Sequence, residues 1–297
     1  MSRDGERHLN GNRRPMERIE PLPRLRRSFM GGRIRIERRD RSQVRCDVLA
    51  GHPPEWGFAA AAVNAEVSMD GDRAMRWTLA CGVAGPILFT FVFMVDGAIR
   101  AGYDPATTPI SQLLLGDAGW LESAAFVTSG LLIVAFAIGL RGALREGRGA
   151  RWGPILIGVA GLGLAVAGIL LPDPAFGYPP GTPGGPPQAS ASWHSTVHVL
   201  AAFAIFGALP VSAVILSRRF RSVGAAPWWL YSLASGVAML VAFVSYIVGT
   251  SGGDGVGLVP GWLERLSVLI GFLWVAALAA HLLRSPAPSP GGNAART

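Results

Sequence analysis

The chain has 297 residues, of which 50% are hydrophobic and only 15% charged, and its mean hydropathy is +0.37. Soluble domains carry about 25% charged residues, so these values exclude an ordinary soluble domain and indicate a membrane protein. The net charge of +8 does not indicate a nucleic-acid binder, because the arginines fall in an N-terminal stretch that is also rich in acids and in a few loops.

The first 75 residues have no sustained hydrophobic period and lack the apolar run that a signal peptide needs. Residues 1–75 are therefore predicted to be a disordered, Arg-rich cytoplasmic tail. The alternative is a start codon assigned too early, with the chain beginning at Met69 or Met75. Residues 285–297 are predicted to be a second disordered cytoplasmic tail.

Apolar segments near the length of about 20 residues that crosses a bilayer follow from residue 77 onward. They lie at 77–99, 119–140, 153–171, 194–217, 227–249 and 261–283. The predicted fold is all-α: a polytopic membrane bundle of six transmembrane helices over residues 76–284.

Arginines occur in alternate connections between these segments. The loops after the second and fourth segments hold Arg141, Arg145, Arg148, Arg151, Arg218, Arg219 and Arg221. The loops 172–193 and 250–260 hold no basic residue. The positive-inside rule then predicts a multi-pass protein of the cell membrane with both termini cytoplasmic and three loops outside.

The first outer loop contains a polar stretch, "DPATTPISQLLLGDAGW", at 104–120. Thr108 suits a helix N-cap, Pro109 the first helical position, and Gly116 a helix end, which predicts a short α-helix over 109–115. This helix would lie across the outer mouth of the bundle as a lid that presents Ser111 or Gln112 inward. The alternative is an interfacial helix that only joins two spans.

Polar side chains gather at the predicted outer side, several of them inside spans. An ionised group at the bilayer centre costs about 2.5–3.5 kcal/mol on insertion scales, so such groups need water or partners. We therefore predict an outward-facing polar pocket. Its candidate ligand-binding residues are Asp96, Asp104, Ser111, Gln112, His194, His198, Glu264 and Arg265.

Two histidines lie four residues apart at the start of the fourth span, so one helix face carries both. His194 and His198 are candidate metal ligands, because Asp96, Asp173 or Glu264 could complete a zinc site with two histidines and a carboxylate. The alternative is that the rings bond to loop carbonyls or to a neighbouring acid. No cofactor is predicted, with zinc as the alternative.

The tetrapeptide "GWLE" opens both the second and the sixth span, at 119–122 and 261–264. The Glu of the sixth span stands in a first turn, where the helix dipole favours an acid. Arg265, next in the chain, lies at the predicted outer side, where the positive-inside rule expects few basic residues. It is predicted to pair with Asp96 or Glu122, or to bind an anionic headgroup.

The pattern "PISQLLLG..GW", then "H...H" at the fourth span and "GWLERL" at the sixth, resembles the bacterial domain-of-unknown-function 998 family over about residues 77–284. This resemblance implies a multi-pass membrane protein and supplies no substrate, since the family has no assigned biochemical role.

The leading functional prediction is an integral membrane protein, without enzymatic activity, whose outward pocket binds a lipid headgroup or a small ligand. A membrane-embedded, metal-dependent lipid hydrolase is the alternative. A small transporter is third, because the cytoplasmic halves of the spans lack charged residues. The predicted partner is the lipid bilayer, and no nucleic acid is expected.

Overall fold

The computed structural model describes residues 28–29, 32–40, 43–48, 54–144, 146–186, 191–251 and 259–284. The predicted C-terminal tail, 285–297, and the first 27 residues of the predicted N-terminal tail lie outside these ranges. The chain divides into two units, Met1–Ser68 and Met69–Thr297.

The first unit contains secondary structure where the sequence predicts a disordered tail. Three strands, β1 (Ser28–Phe29), β2 (Gly32–Asp40) and β3 (Gln43–Val48), pair antiparallel in the order β1-β2-β3. The sequence signal is the alternation of isoleucine with arginine in β2, which has the period of two of a strand.

The first helix, α1, also begins earlier than predicted. It runs over Pro54–Ile99, and its membrane-length part is Gly71–Ile99 instead of 77–99. Proline suits the first position of a helix, because its missing N–H needs no partner there.

The second unit is built from helices, and six of them are long and apolar enough to cross a membrane, as predicted. After α1 come α2 (Gly119–Ala143), α3 (Trp152–Ile169), α4 (Trp193–Ser222), α5 (Ala226–Ser251) and α6 (Pro260–Arg284). Each begins or ends within a few residues of its predicted span. The protein is therefore a multi-pass membrane protein.

The helices form a closed ring in chain order, and glycines set the closest approaches. A Cβ on Gly130 of α2 would lie 2.5 Å from the Gly161 carbonyl oxygen of α3, and one on Gly236 of α5 would lie 2.9 Å from a carbonyl of α4. A Cβ on Gly82 of α1 would lie 2.8 Å from the Cβ of Ala279 in α6, which closes the ring. Small residues allow such contacts, because lipid supplies no hydrophobic drive between helices.

A single turn of 3₁₀ helix, Ile110–Leu114, stands where the α-helix 109–115 was predicted. Pro109 is its N-cap residue and makes no side-chain cap bond, so the prediction that Thr108 caps this helix is wrong. Gly116, the predicted helix end, has a φ of 77°, which glycine adopts without strain. We call the end of the bundle that carries this turn the first-loop end.

Candidate functional site

The start of α6 binds the first loop. Glu264 accepts a hydrogen bond from the Ile110 amide at 2.7 Å, at the start of the 3₁₀ turn. The Nη1 of Arg265 donates to the carbonyls of Pro105 (2.9 Å), Thr108 (3.1 Å) and Gly261 (2.9 Å). These bonds hold the 3₁₀ turn over the end of the bundle.

Glycine is required at the point of contact. A Cβ on Gly261 would lie only 2.4 Å from the Pro105 carbonyl oxygen, and the Gly261 amide donates to the Ala106 carbonyl at 2.9 Å. The other end of the turn repeats this arrangement, since a Cβ on Gly119 would lie 2.0 Å from the Leu114 carbonyl oxygen. The repeated "GWLE" thus brings the starts of α2 and α6 against the first loop.

Tyr103 completes this contact between α6 and the first loop. Its hydroxyl accepts a bond from Nη2 of Arg265 and donates to the carbonyls of Thr108 and Pro109, each at 3.0 Å. Burial raises the pKa of the Tyr103 hydroxyl, although the charge of Arg265 opposes that shift. The phenol therefore stays protonated and remains a donor.

The predicted pairing of Arg265 with Asp96 is wrong. Asp96 pairs instead with Arg100, one turn on, through bonds of 3.0 Å to Nε and 2.5 Å to Nη2. Arg100 also donates to the Leu115 carbonyl at 3.1 Å and to the Tyr178 hydroxyl at 3.2 Å. Burial lowers the pKa of Arg100, but its bonds with Asp96 and Tyr178 outweigh burial and raise it. The sequence analysis did not single out Arg100, although its spacing of four from Asp96 on a helix was the available signal.

Glu122, the other predicted partner of Arg265, is fully buried in α2. Neither of its carboxyl oxygens has a hydrogen-bond partner within the described part of the chain. Its counterpart in the second "GWLE", Glu264, does bond to the loop. The same tetrapeptide therefore places its acid in two different environments.

The start of α4 is held by Asp173. Its carboxylate accepts from the Ser192 amide at 2.7 Å and from the Ser192 hydroxyl at 2.6 Å, and Ser192 caps α4 by accepting from the Ser195 amide. These bonds from Ser192 lower the pKa of Asp173. The Nδ1 of His194 lies 3.0 Å from the same hydroxyl and 2.9 Å from the Leu171 carbonyl.

Gln112 ties the 3₁₀ turn to the neighbouring loop. Its amide group donates to the Asp173 carbonyl at 3.1 Å and accepts from the Ala175 amide at 3.0 Å. Asp104 is exposed and accepts from the Ala106 amide and the Thr107 hydroxyl, each at 2.9 Å, which orders the turn that follows it.

His198, one turn beyond His194, is buried and differently placed. Its Nδ1 lies 2.9 Å from the Ala167 carbonyl and 2.8 Å from the Leu170 carbonyl. Carbonyls only accept, so Nδ1 carries the proton and, in the neutral ring, Nε2 keeps a free lone pair.

A cavity of about 130 Å³ lies below the 3₁₀ turn, far above the ~10–15 Å³ that one water molecule occupies by this measure. Every helix contributes an apolar wall residue. These are Phe89, Phe126, Leu164, Phe206, Phe243 and Phe272. The polar lining residues are Ser111, His198, Tyr246 and Glu264.

The structure brings three of the eight candidate pocket residues to this cavity: Ser111, His198 and Glu264. The other five make the separate contacts described above. Tyr246, the fourth polar lining residue, was not among the candidate site residues.

The two histidines predicted as metal ligands bond to different backbone groups. Their Nδ1 atoms bond to different backbone carbonyls, at Leu171 for His194 and at Ala167 and Leu170 for His198. Among the described residues, no group of three or more histidine, cysteine, aspartate or glutamate side chains is placed to hold a metal ion.

Comparison with known protein families shows to which family this chain belongs. Residues 83–281 match the model of the "Protein of unknown function (DUF998)" family, which covers most of the helical unit. The chain belongs to this family. No curated protein and no solved structure matches it.

Proposed function

We propose that this DUF998 member binds one single-chain amphiphile, with the apolar chain in the cavity and the headgroup at its polar side chains. The observation that carries the proposal is the division of the cavity lining. Aromatic and aliphatic walls from all six helices surround the space, while Ser111, His198 and Glu264 approach it from the first-loop end. Binding sites for small molecules commonly combine apolar walls with a few placed polar groups.

The surface of α4 supports entry from the bilayer. Val199 and Phe203 line the cavity and are also 44% and 51% exposed. Within a membrane-spanning helix, an exposed apolar side chain faces lipid. Tyr246 and Ile247 of α5, both partly exposed, complete this edge of the lining. A lipid chain therefore has a lateral route between α4 and α5.

We further propose that the cavity faces the outer side of the cell membrane. The arginines of the predicted cytoplasmic loops, such as Arg148 and Arg221, stand at the end of the bundle opposite the first-loop end. The positive-inside rule places that end in the cytoplasm. The metal-dependent hydrolase gains no support, because the histidines lack a third ligand among the described residues.

The test uses full-length protein in phosphatidylcholine nanodiscs, since detergents are themselves single-chain amphiphiles. Two photoreactive probes, a dodecylglycerol and a dodecanoate with a diazirine in the chain, are crosslinked and the labelled peptides identified. We expect at least one probe to label peptides containing Phe203 or Tyr246, and Ala202→Phe, which fills the cavity, to abolish that labelling.

Leu200→Phe is the matched control, because Leu200 is on the same helix, is 62% exposed and is absent from the lining. It should leave labelling unchanged. The proposal is refuted if neither probe labels these peptides, or if Ala202→Phe labels as well as the control.

A further inference from the structure

The polar groups of the cavity determine which headgroup fits it. Ser111 and Tyr246 carry hydroxyls, which both donate and accept and therefore suit any polar head. His198 and Glu264 are selective, because the geometry of each leaves mainly acceptor capacity towards the cavity. Among the residues that the structure describes, no arginine lines the cavity.

His198 is fixed as an acceptor by its backbone contacts. Its Nδ1–H is used by the carbonyls of Ala167 and Leu170, so the neutral ring can offer only the Nε2 lone pair. No hydrogen-bond partner of Nε2 occurs among the described residues, and His198 lines the cavity. A ligand hydroxyl or ammonium group supplies the donor that this atom lacks.

Glu264 adds a second acceptor. Its Oε2 is occupied by the Ile110 amide at 2.7 Å, while Oε1 has no hydrogen-bond partner among the described residues. A carboxylate accepts and does not donate. Beside the ionised form of Glu264, an anionic head would meet like charge and would lose its hydration without compensation.

The nearby cations are committed elsewhere. Arg265 follows Glu264 in the chain but is only 2% exposed, and its guanidinium bonds to loop carbonyls and to Tyr103. Arg100 is paired with Asp96 and bonds to the Tyr178 hydroxyl. Neither arginine lines the cavity, so neither can neutralise a phosphate or carboxylate bound there.

We infer that the amphiphile bound in this cavity has a hydrogen-bond-donating, non-anionic head, either a polyol or an amine. The inference rests on the proposed function and specifies its ligand class. It also replaces the anionic headgroup that the sequence suggested for Arg265. An anionic lipid would need a free cation at the cavity, and the structure gives Glu264 and His198 instead.

The experiment is competition against whichever photoreactive probe labels the cavity peptides in nanodiscs. The competitors share one chain and differ in the head: dodecylglycerol, dodecylamine, dodecanoate and dodecyl phosphate. We expect the glycerol or the amine to compete at concentrations at least about tenfold lower than either anion. The bilayer partition coefficient of each competitor, measured in protein-free phosphatidylcholine vesicles, corrects for unequal concentrations in the membrane.

Glu264→Gln separates the two donor heads. The amide keeps an oxygen for the Ile110 amide but removes the negative charge. Dodecylamine should lose about tenfold in competition if its ammonium group pairs with Glu264, whereas dodecylglycerol should change little. If this variant does not fold, the competition series with the wild-type protein tests the headgroup inference by itself.

The outcomes keep the two proposals distinguishable. Cavity labelling in which either anion competes as well as the donor heads refutes the headgroup inference and leaves the binding function standing. Absence of any labelling that Ala202→Phe removes refutes the binding function itself.

Discussion

Replacing Arg265 with alanine tests the contact between α6 and the first loop. The guanidinium bonds to the carbonyls of Pro105, Thr108 and Gly261 and to the Tyr103 hydroxyl, and it is almost wholly buried. Arg265→Ala removes all of these bonds at once. The first loop then keeps the Glu264 bond to the Ile110 amide and the Gly261 amide bond to the Ala106 carbonyl, but loses its bonds to the guanidinium.

The expected loss of stability depends on which hydrogen bonds each carbonyl keeps after the substitution. Thr108 keeps the Tyr103 hydroxyl, and Gly261, in the first helical turn, keeps its helical bond. Pro105 is left without a donor among the described residues. Stranding the partly buried Pro105 carbonyl costs about 1 kcal/mol, and the lost charge-assisted bonds cost about 1.5–3 kcal/mol more, so we expect the free energy of unfolding to fall by about 3 kcal/mol.

The assay is reversible unfolding of the purified protein in mixed micelles, with intrinsic tryptophan fluorescence as the signal. Arg218→Ala is the control, because Arg218 is exposed on α4. It should change the free energy of unfolding by less than about 0.5 kcal/mol. Arg265→Lys should be intermediate, because an ammonium cannot reproduce the planar fork of donors. If Arg265→Ala equals the control, these bonds do not stabilise the fold and the reasoning fails.

Three further predictions follow from other parts of the chain. Bonds from its neighbours lower the pKa of Asp173 in the folded protein. Ionised Asp173 therefore stabilises the fold at pH values above the ordinary aspartate pKa of about 3.9. This stabilisation is lost as the pH falls through the lower pKa that Asp173 has in the folded protein. Asp173→Asn should remove this acid-side loss in melting temperature, and parallel pH curves would contradict the assignment. Gly261→Ala should cost about 1–3 kcal/mol by overpacking, whereas Gly207→Ala, whose Cβ meets nothing within 4 Å, should not. Reporter fusions near residue 146 should be cytoplasmic and those near 183 external, and a periplasm-type reporter active at 146 would overturn the orientation.

Part of the candidate site followed from sequence, since polar residues in apolar spans are few. His198 and Glu264 were chosen on that ground and Ser111 as part of the predicted lid, and all three line one cavity. Their neighbours in the list, His194 and Gln112, serve the cap of α4 and the joining of two loops instead. A sequence pattern shows that a polar group needs a partner, but not which partner it has.

The number of membrane helices, and the limits of all but the first, were determined by the sequence itself. A span needs only an apolar run long enough to cross the bilayer, and that property is local. The partners of the charged groups were decided by tertiary structure. Asp96 and Arg100 form a local pair one turn apart, but Arg265 reaches the Pro105 carbonyl, 160 positions away, about which its own sequence pattern carries no information. The cavity likewise exists only because six helices close into a ring and a loop from residues 104–118 is drawn over its end. The bonds between the first loop and α6 join residues more than a hundred positions apart, and no local periodicity in the sequence encodes such a pairing.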